Sequence, residues 1–82
     1  MRIEIIGVEP PCRKCKALLK NAKKAVEQAG VNAEVVKLDV LSAEVIDEYG
    51  LLLVPALVID GVVVSQRRVL SVAQIVKLIQ GR

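Results

Sequence analysis

The chain has 82 residues, 54% of them hydrophobic, with a formal net charge of +3. That length supplies one small core and no second domain, and no apolar run approaches the roughly 20 residues that span a membrane. Phe and Trp are absent and Tyr49 is the sole aromatic, so the core must be aliphatic, and the stacking side chains of a single-strand nucleic-acid binder are missing.

Residues 2–6, "RIEII", read as a short strand that Pro10 and Pro11 terminate. Residues 13–29 fit a helix, with Cys15, Leu18, Leu19, Ala22, Val26 and Ala29 at the three-and-four spacing of one buried stripe, and Gly30 as its stop. Residues 33–40, "AEVVKLDV", read as a second strand. Ser42 is placed to cap a short helix that Gly50 ends. Residues 51–64 hold two apolar runs around Asp60-Gly61, a strong two-residue hairpin signal because the favoured turn needs positive φ at both positions. Ser71 and Gln74 form a capping box before a last helix with Val72, Ile75, Val76 and Ile79 on one face. The order strand-helix-strand-helix-hairpin-helix predicts an α/β fold. Two parallel strands joined by a right-handed crossover take the hairpin to make a mixed four-stranded sheet covered by three helices.

Charge is unevenly spread. Residues 10–26 carry Arg13, Lys14, Lys16, Lys20, Lys23 and Lys24 and no acid, a local +6. Cations on a helix exterior are usually just solvated, so no nucleic-acid partner is expected. The start of the chain shows no signal-peptide pattern, and a cytosolic monomer is expected.

The two cysteines of the chain lie in "PPCRKC". Cys12 falls at or just before the start of the first helix, where unpaired N–H groups and the helix dipole stabilise a thiolate. Lys16, four residues on, is the cation best placed to lower its pKa further, with Arg13 and Lys14 acting at longer range and Glu9 opposing them. Cys15 lies inside the apolar stripe and should be buried, while Cys12 lies at its edge and should be reachable. An exposed activated thiol beside a shielded one suits disulfide exchange. A structural staple is the weaker reading, since so small a ring contributes about 2 kcal/mol in the chain-entropy model and cytosolic conditions tend to reduce it. A metal carrier holding copper(I) or zinc between the thiols is the serious alternative. With no histidine and only two cysteines, however, a four-ligand zinc site would need other donors. A non-catalytic interaction module is the third possibility.

Residues 53–61 read "LVPALVIDG". A proline at the head of an apolar strand lacks a ladder donor and belongs at a strand start or an edge. Together, C-x-x-C after the first strand and a distant V-P opening a strand that ends in a D-G hairpin resemble the thioredoxin fold. Tyr49-Gly50 and the closing stretch "DGVVVSQRRVLSVAQIVKLI" are similar to the small thioredoxin-like redox-active disulfide proteins of archaea and bacteria. The resemblance covers nearly the whole chain and implies one thioredoxin-like domain over residues 1–82. It implies a thiol–disulfide oxidoreductase with Cys12 as nucleophile and Cys15 as resolving thiol. A cis Val54–Pro55 bond would lie against the pair, with Val54 and Pro55 binding an extended substrate segment. It also implies no bound cofactor and no metal. The partners would be disulfide-containing protein substrates and a reductase or another dithiol protein as electron donor. The inner pair Arg13-Lys14 departs from the C-G-P-C and C-P-Y-C of the better-known groups, so no redox potential carries over. Val62-Val63-Val64-Ser65 stands where glutaredoxins have G-G-x-D-D, which argues against glutathione as a partner. Glu4 and Asp39 are the candidates for a buried acid that assists proton transfer.

Overall fold

Alternating short apolar runs and one long amphipathic stripe produce seven elements: β1 (Arg2–Gly7), α1 (Arg13–Ala29), β2 (Glu34–Asp39), α2 (Ala43–Tyr49), β3 (Ala56–Ile59), β4 (Val62–Gln66) and α3 (Val72–Gln80). The computed structural model describes residues 1–8, 10 and 12–81. Glu9, Pro11 and Arg82 lie outside the described residues, and with them the expectation for the Glu9 charge.

The helix boundaries follow local chemistry. Gly30 ends α1 in the left-handed region at φ 67°, with its N–H bonded back to Val26 and Glu27. The Ser42 hydroxyl accepts from Val45 N at the start of α2. Ser71 and Gln74 form the reciprocal capping box of α3, with bonds of 3.2 and 2.9 Å. Asp60 (φ 48°) and Gly61 (φ 83°) both take positive φ in the β3–β4 turn, as a primed hairpin turn requires.

The sheet order is β2-β1-β3-β4. β1 runs parallel to β2 and antiparallel to β3, and β3 runs antiparallel to β4. Side-chain alternation divides the central strands between two aliphatic layers. Ile3, Ile5, Leu57 and Ile59 pack with Leu18, Ala22 and Ala25 of α1 and Ile75 and Ile79 of α3. Ile6, Ala56 and Val58 face the other way and pack with Val40 and with Val45 of α2. Helices α1 and α3 thus cover one face and α2 the other. No helix is long and apolar enough to cross a membrane.

The apolar run that enters the hairpin becomes strand after Val54-Pro55, and residues 51–54 are not part of the ladder. Leu51 and Leu53 are exposed. The Leu53 N–H goes to the Gln66 side chain at 2.9 Å instead of to a ladder partner.

Candidate active site

The register brings three segments to one end of the sheet. Ile6 pairs with Ala56 and Ala56 pairs with Gln66. The end of β1, the start of β3 and the end of β4 are therefore neighbours, and Gly7 and Pro55 are the next positions along their strands. The loop leaving β1 reaches Cys12, which is the N-cap residue of α1 with extended backbone (φ −78°, ψ 172°). Its carbonyl accepts the first helical bond from Lys16 N at 3.0 Å.

Cys12 is exposed and Cys15 is buried, and both are free thiols. Their sulfurs lie 3.1 Å apart, within hydrogen-bond range and about 1 Å longer than a disulfide. When Cys12 is a thiolate, the one S–H left between them is that of Cys15, which then donates to it. This contact is the largest cause of a Cys12 pKa lowered from the ordinary thiol value. The Cys15 backbone N–H adds to it, a small desolvation opposes it, and the Lys14 backbone N–H adds a smaller lowering. Lys14 therefore acts through its main chain at the helix start. The Arg13, Lys14 and Lys16 side chains are all exposed.

Cys15 reaches this position because Gly7 has no side chain. A Cβ on Gly7 would overlap the Cys15 sulfur and stand 3.2 Å from Cys15 Cβ. It would also lie 3.5 Å from Lys37 Cε. The Lys37 side chain crosses the same end of β1, with Nζ donating to the Val8 and Leu38 carbonyls at 3.3 Å each. The reading of the sequence passed over both residues. The available signal was a glycine closing a strand after Ile5-Ile6, which marks close approach of another group.

The Val54–Pro55 bond is cis. Pro55 is buried and Val54 half-buried. The loop before β3 is held to the end of β4 twice, by Leu53 N to Gln66 Oε1 and by Arg67 N to Pro55 O, both 2.9 Å. Among the described residues, nothing hydrogen-bonds the Val54 main chain. Arg67 itself has φ 62°, a left-handed conformation that costs an ordinary residue about 1 kcal/mol.

Glu4 and Asp39 occupy different surroundings. Glu4 lies on the α2 face, opposite to Gly7 by strand alternation. It is buried, accepts from Tyr49 Oη at 3.0 and 3.2 Å, and faces Arg2 Nε at 3.7 Å. Asp39 pairs with Gly7 in the sheet and accepts from Leu41 N through Oδ1 at 3.0 Å. Among the described residues there is no group of three or more His, Cys, Asp or Glu side chains placed to hold a metal ion.

Comparison with known proteins agrees with this geometry. A family model described as a thioredoxin domain matches residues 1–80. A thioredoxin of Methanothermobacter thermautotrophicus is 37% identical over 79 residues, covering 96% of this chain and 97% of its own. A thioredoxin of Methanocaldococcus jannaschii is 38% identical over 64 residues, covering 78% of this chain and 71% of its own. No solved structure matches. A mixed sheet in the order β2-β1-β3-β4 with α1 and α3 on one face and α2 on the other, taken with a family match over almost the full length, places the chain in the thioredoxin-domain family.

Proposed function

We propose that Cys12 and Cys15 are the working dithiol of this thiol–disulfide oxidoreductase and that its substrates are disulfide-containing proteins. The observation that carries the reading is the pairing of an exposed Cys12 sulfur, its pKa lowered, with a buried Cys15 sulfur 3.1 Å away. The Cys12 thiolate attacks one sulfur of the substrate disulfide. A Cys12–substrate bond forms, and the other substrate sulfur leaves as a thiolate and takes up a proton. Cys15 then loses its proton and attacks Cys12 Sγ. The Cys12–Cys15 bond closes, and the second substrate sulfur leaves and is protonated. The substrate gains two electrons and two protons; the protein gives up the two electrons and the Cys15 proton, and the second proton is balanced by the one released to solvent when Cys12 ionised. A reductase or another dithiol protein returns them, so no bound cofactor enters the cycle.

Val54 and Pro55 form the substrate-binding edge. The Val54 main chain has its N–H and C=O open to an extended segment lying beside the mixed disulfide, a strand-addition mode. The charges of Arg13, Lys14 and Lys16 favour the thiolate at longer range than the contact with Cys15. Residues 1–82 work as one cytosolic, monomeric domain.

The test is turnover of insulin disulfides with a dithiol donor. Cys12→Ser abolishes turnover, and Cys15→Ser accumulates a mixed disulfide that mass spectrometry detects. Stoichiometric copper or zinc on the purified protein, together with absent turnover, would transfer the same two thiols to the metal-carrier reading.

A further inference from the structure

We infer that this site selects disulfides set in acidic, aliphatic peptide segments, with Arg67 and Arg68 reading the acidic side chains from one rim and Arg13 and Lys14 from the other. The inference rests on the dithiol function proposed for Cys12 and Cys15 and names the class of substrate which that function leaves open.

The first support is position. Arg67 is fixed across from Pro55 by its N–H bond to the Pro55 carbonyl, so it leaves the fold beside the open Val54 main chain, and Arg68 follows on the α3 side, where it lines a cleft with Leu70 and Gln74. Residue 67 lies just past β4, outside the β3–β4 turn, at a bend in the chain where its φ is 62°. Strain kept at a binding edge points to a role for the arginine pair it presents there. The second is charge. Arg13, Lys14, Arg67 and Arg68 are all exposed at this end of the sheet. Asp39, which pairs with Gly7 in the ladder, is an acid at the same end, and its carboxylate accepts from Leu41 N. Four further acids, Glu4, Glu44, Glu48 and Asp60, line a cavity of about 240 Å³ with Arg2, reaching to the β3–β4 turn at the opposite end. The third is apolar surface. Leu51 and Leu53 stand 79% and 56% exposed in the loop that leads to Val54, where an aliphatic side chain of an added strand would cover them. Cations on both rims and leucines along one side are complementary to an acidic, aliphatic segment and opposed to a basic one.

The experiment compares kcat/KM for two otherwise identical peptide disulfides whose cysteines are flanked by Glu or by Lys. Hydroxyethyl disulfide, small and uncharged, serves as the probe of the dithiol chemistry itself. At low salt the Glu peptide should be reduced about fivefold or more faster than the Lys peptide, and the ratio should shrink as salt is added. Arg67→Glu with Arg68→Glu should invert the preference. Arg67→Gly with Arg68→Gln, which keeps the turn, should flatten it. Equal rates for the two peptides at low salt, while hydroxyethyl disulfide is reduced, would overturn the inference and leave the dithiol function standing. Failure to reduce any of the three by the wild-type protein would bring down both.

Discussion

The Cys15 sulfur rests against the main chain of Gly7, in the space that any larger residue would fill. The contact couples the end of a central strand to the first turn of a helix, and it sets how deep the second thiol sits. Gly7→Ala must move either the sulfur or the helix. Overpacking of this kind costs about 1–3 kcal/mol. It should also carry Cys15 away from its 3.1 Å approach to Cys12. The expected outcome is a lower melting temperature together with slower release of substrate from the mixed disulfide, read by stopped-flow or by quenched mass spectrometry. Unchanged values for both would show that the site has slack the structure does not contain.

The lowered Cys12 pKa has Cys15 as its first cause, and this yields a separable prediction. Cys15→Ala removes the thiol that donates to the Cys12 thiolate, so the midpoint of Cys12 alkylation with pH should rise toward the ordinary thiol range. Removing the Lys16 ammonium with Lys16→Met should move it less. The sign for stability comes from the same shift. A group whose folded pKa lies below its unfolded value contributes stability that is present above the unfolded pKa and is lost as pH falls through the folded one. Reduced wild-type protein should therefore gain stability relative to Cys12→Ser as pH is raised from the Cys12 midpoint to the ordinary thiol pKa. It should hold that gain at higher pH. Chemical denaturation of the two proteins across that interval measures it.

Much of this arrangement was readable in the sequence, and the remainder was not for physical reasons. Ser71, Gln74 and Asp60-Gly61 act over two to four residues, so their roles survive any tertiary context that keeps the helix and the hairpin. The stripe that buries Cys15 while leaving Cys12 exposed is likewise a property of one helix. The glycine that closes β1 signals a close approach, but which group approaches depends on the angle at which α1 crosses β1, which no local pattern encodes. The Glu4–Tyr49 bond spans 45 positions, and it needs α2 to pack on the face opposite to α1. The leucines of residues 51–54 look like a strand by composition. They are a loop: the Leu53 N–H goes to the Gln66 side chain, and the main-chain bond from Arg67 is made to Pro55 beyond them.

Tyr49 ties α2 to the sheet through Glu4, a carboxylate only 5% exposed. Tyr49→Phe leaves that carboxylate short of its hydroxyl donor, a change that costs about 1–3 kcal/mol. The phenol pKa is pushed up to about 12, first by burial and then by the hydrogen bond and charge of Glu4. A pKa raised on folding contributes stability that is complete below the unfolded value of about 10 and is lost as pH rises through about 12. Tyr49 is the only Tyr and there is no Trp, so tyrosinate absorbance reports this one group. The folded protein should titrate near 12 and the Glu4→Gln variant lower. A titration of the folded wild type near the ordinary value of about 10 would rule out the buried pair as a tie between α2 and the sheet.

Arg67 offers a test in which stability and binding move in opposite directions. Its left-handed backbone, φ 62°, is one that glycine adopts without penalty. Arg67→Gly should therefore relieve about 1 kcal/mol of strain in the folded state, offset in part by the greater freedom glycine brings to the unfolded chain. For a domain of this size a net gain of half that amount corresponds to roughly 2–4 °C in melting temperature. The Pro55 carbonyl keeps its partner, because the bond comes from the residue 67 main chain. The variant should thus fold at least as well as the wild type and keep its rate on hydroxyethyl disulfide within about twofold, since no side chain that touches the sulfurs has changed. Its preference for the Glu-flanked peptide should weaken. A clear loss of stability on making Arg67→Gly would mean that the side chain, and not the geometry of the turn, holds residue 67 in place, and the strain argument for its role in binding would go with it.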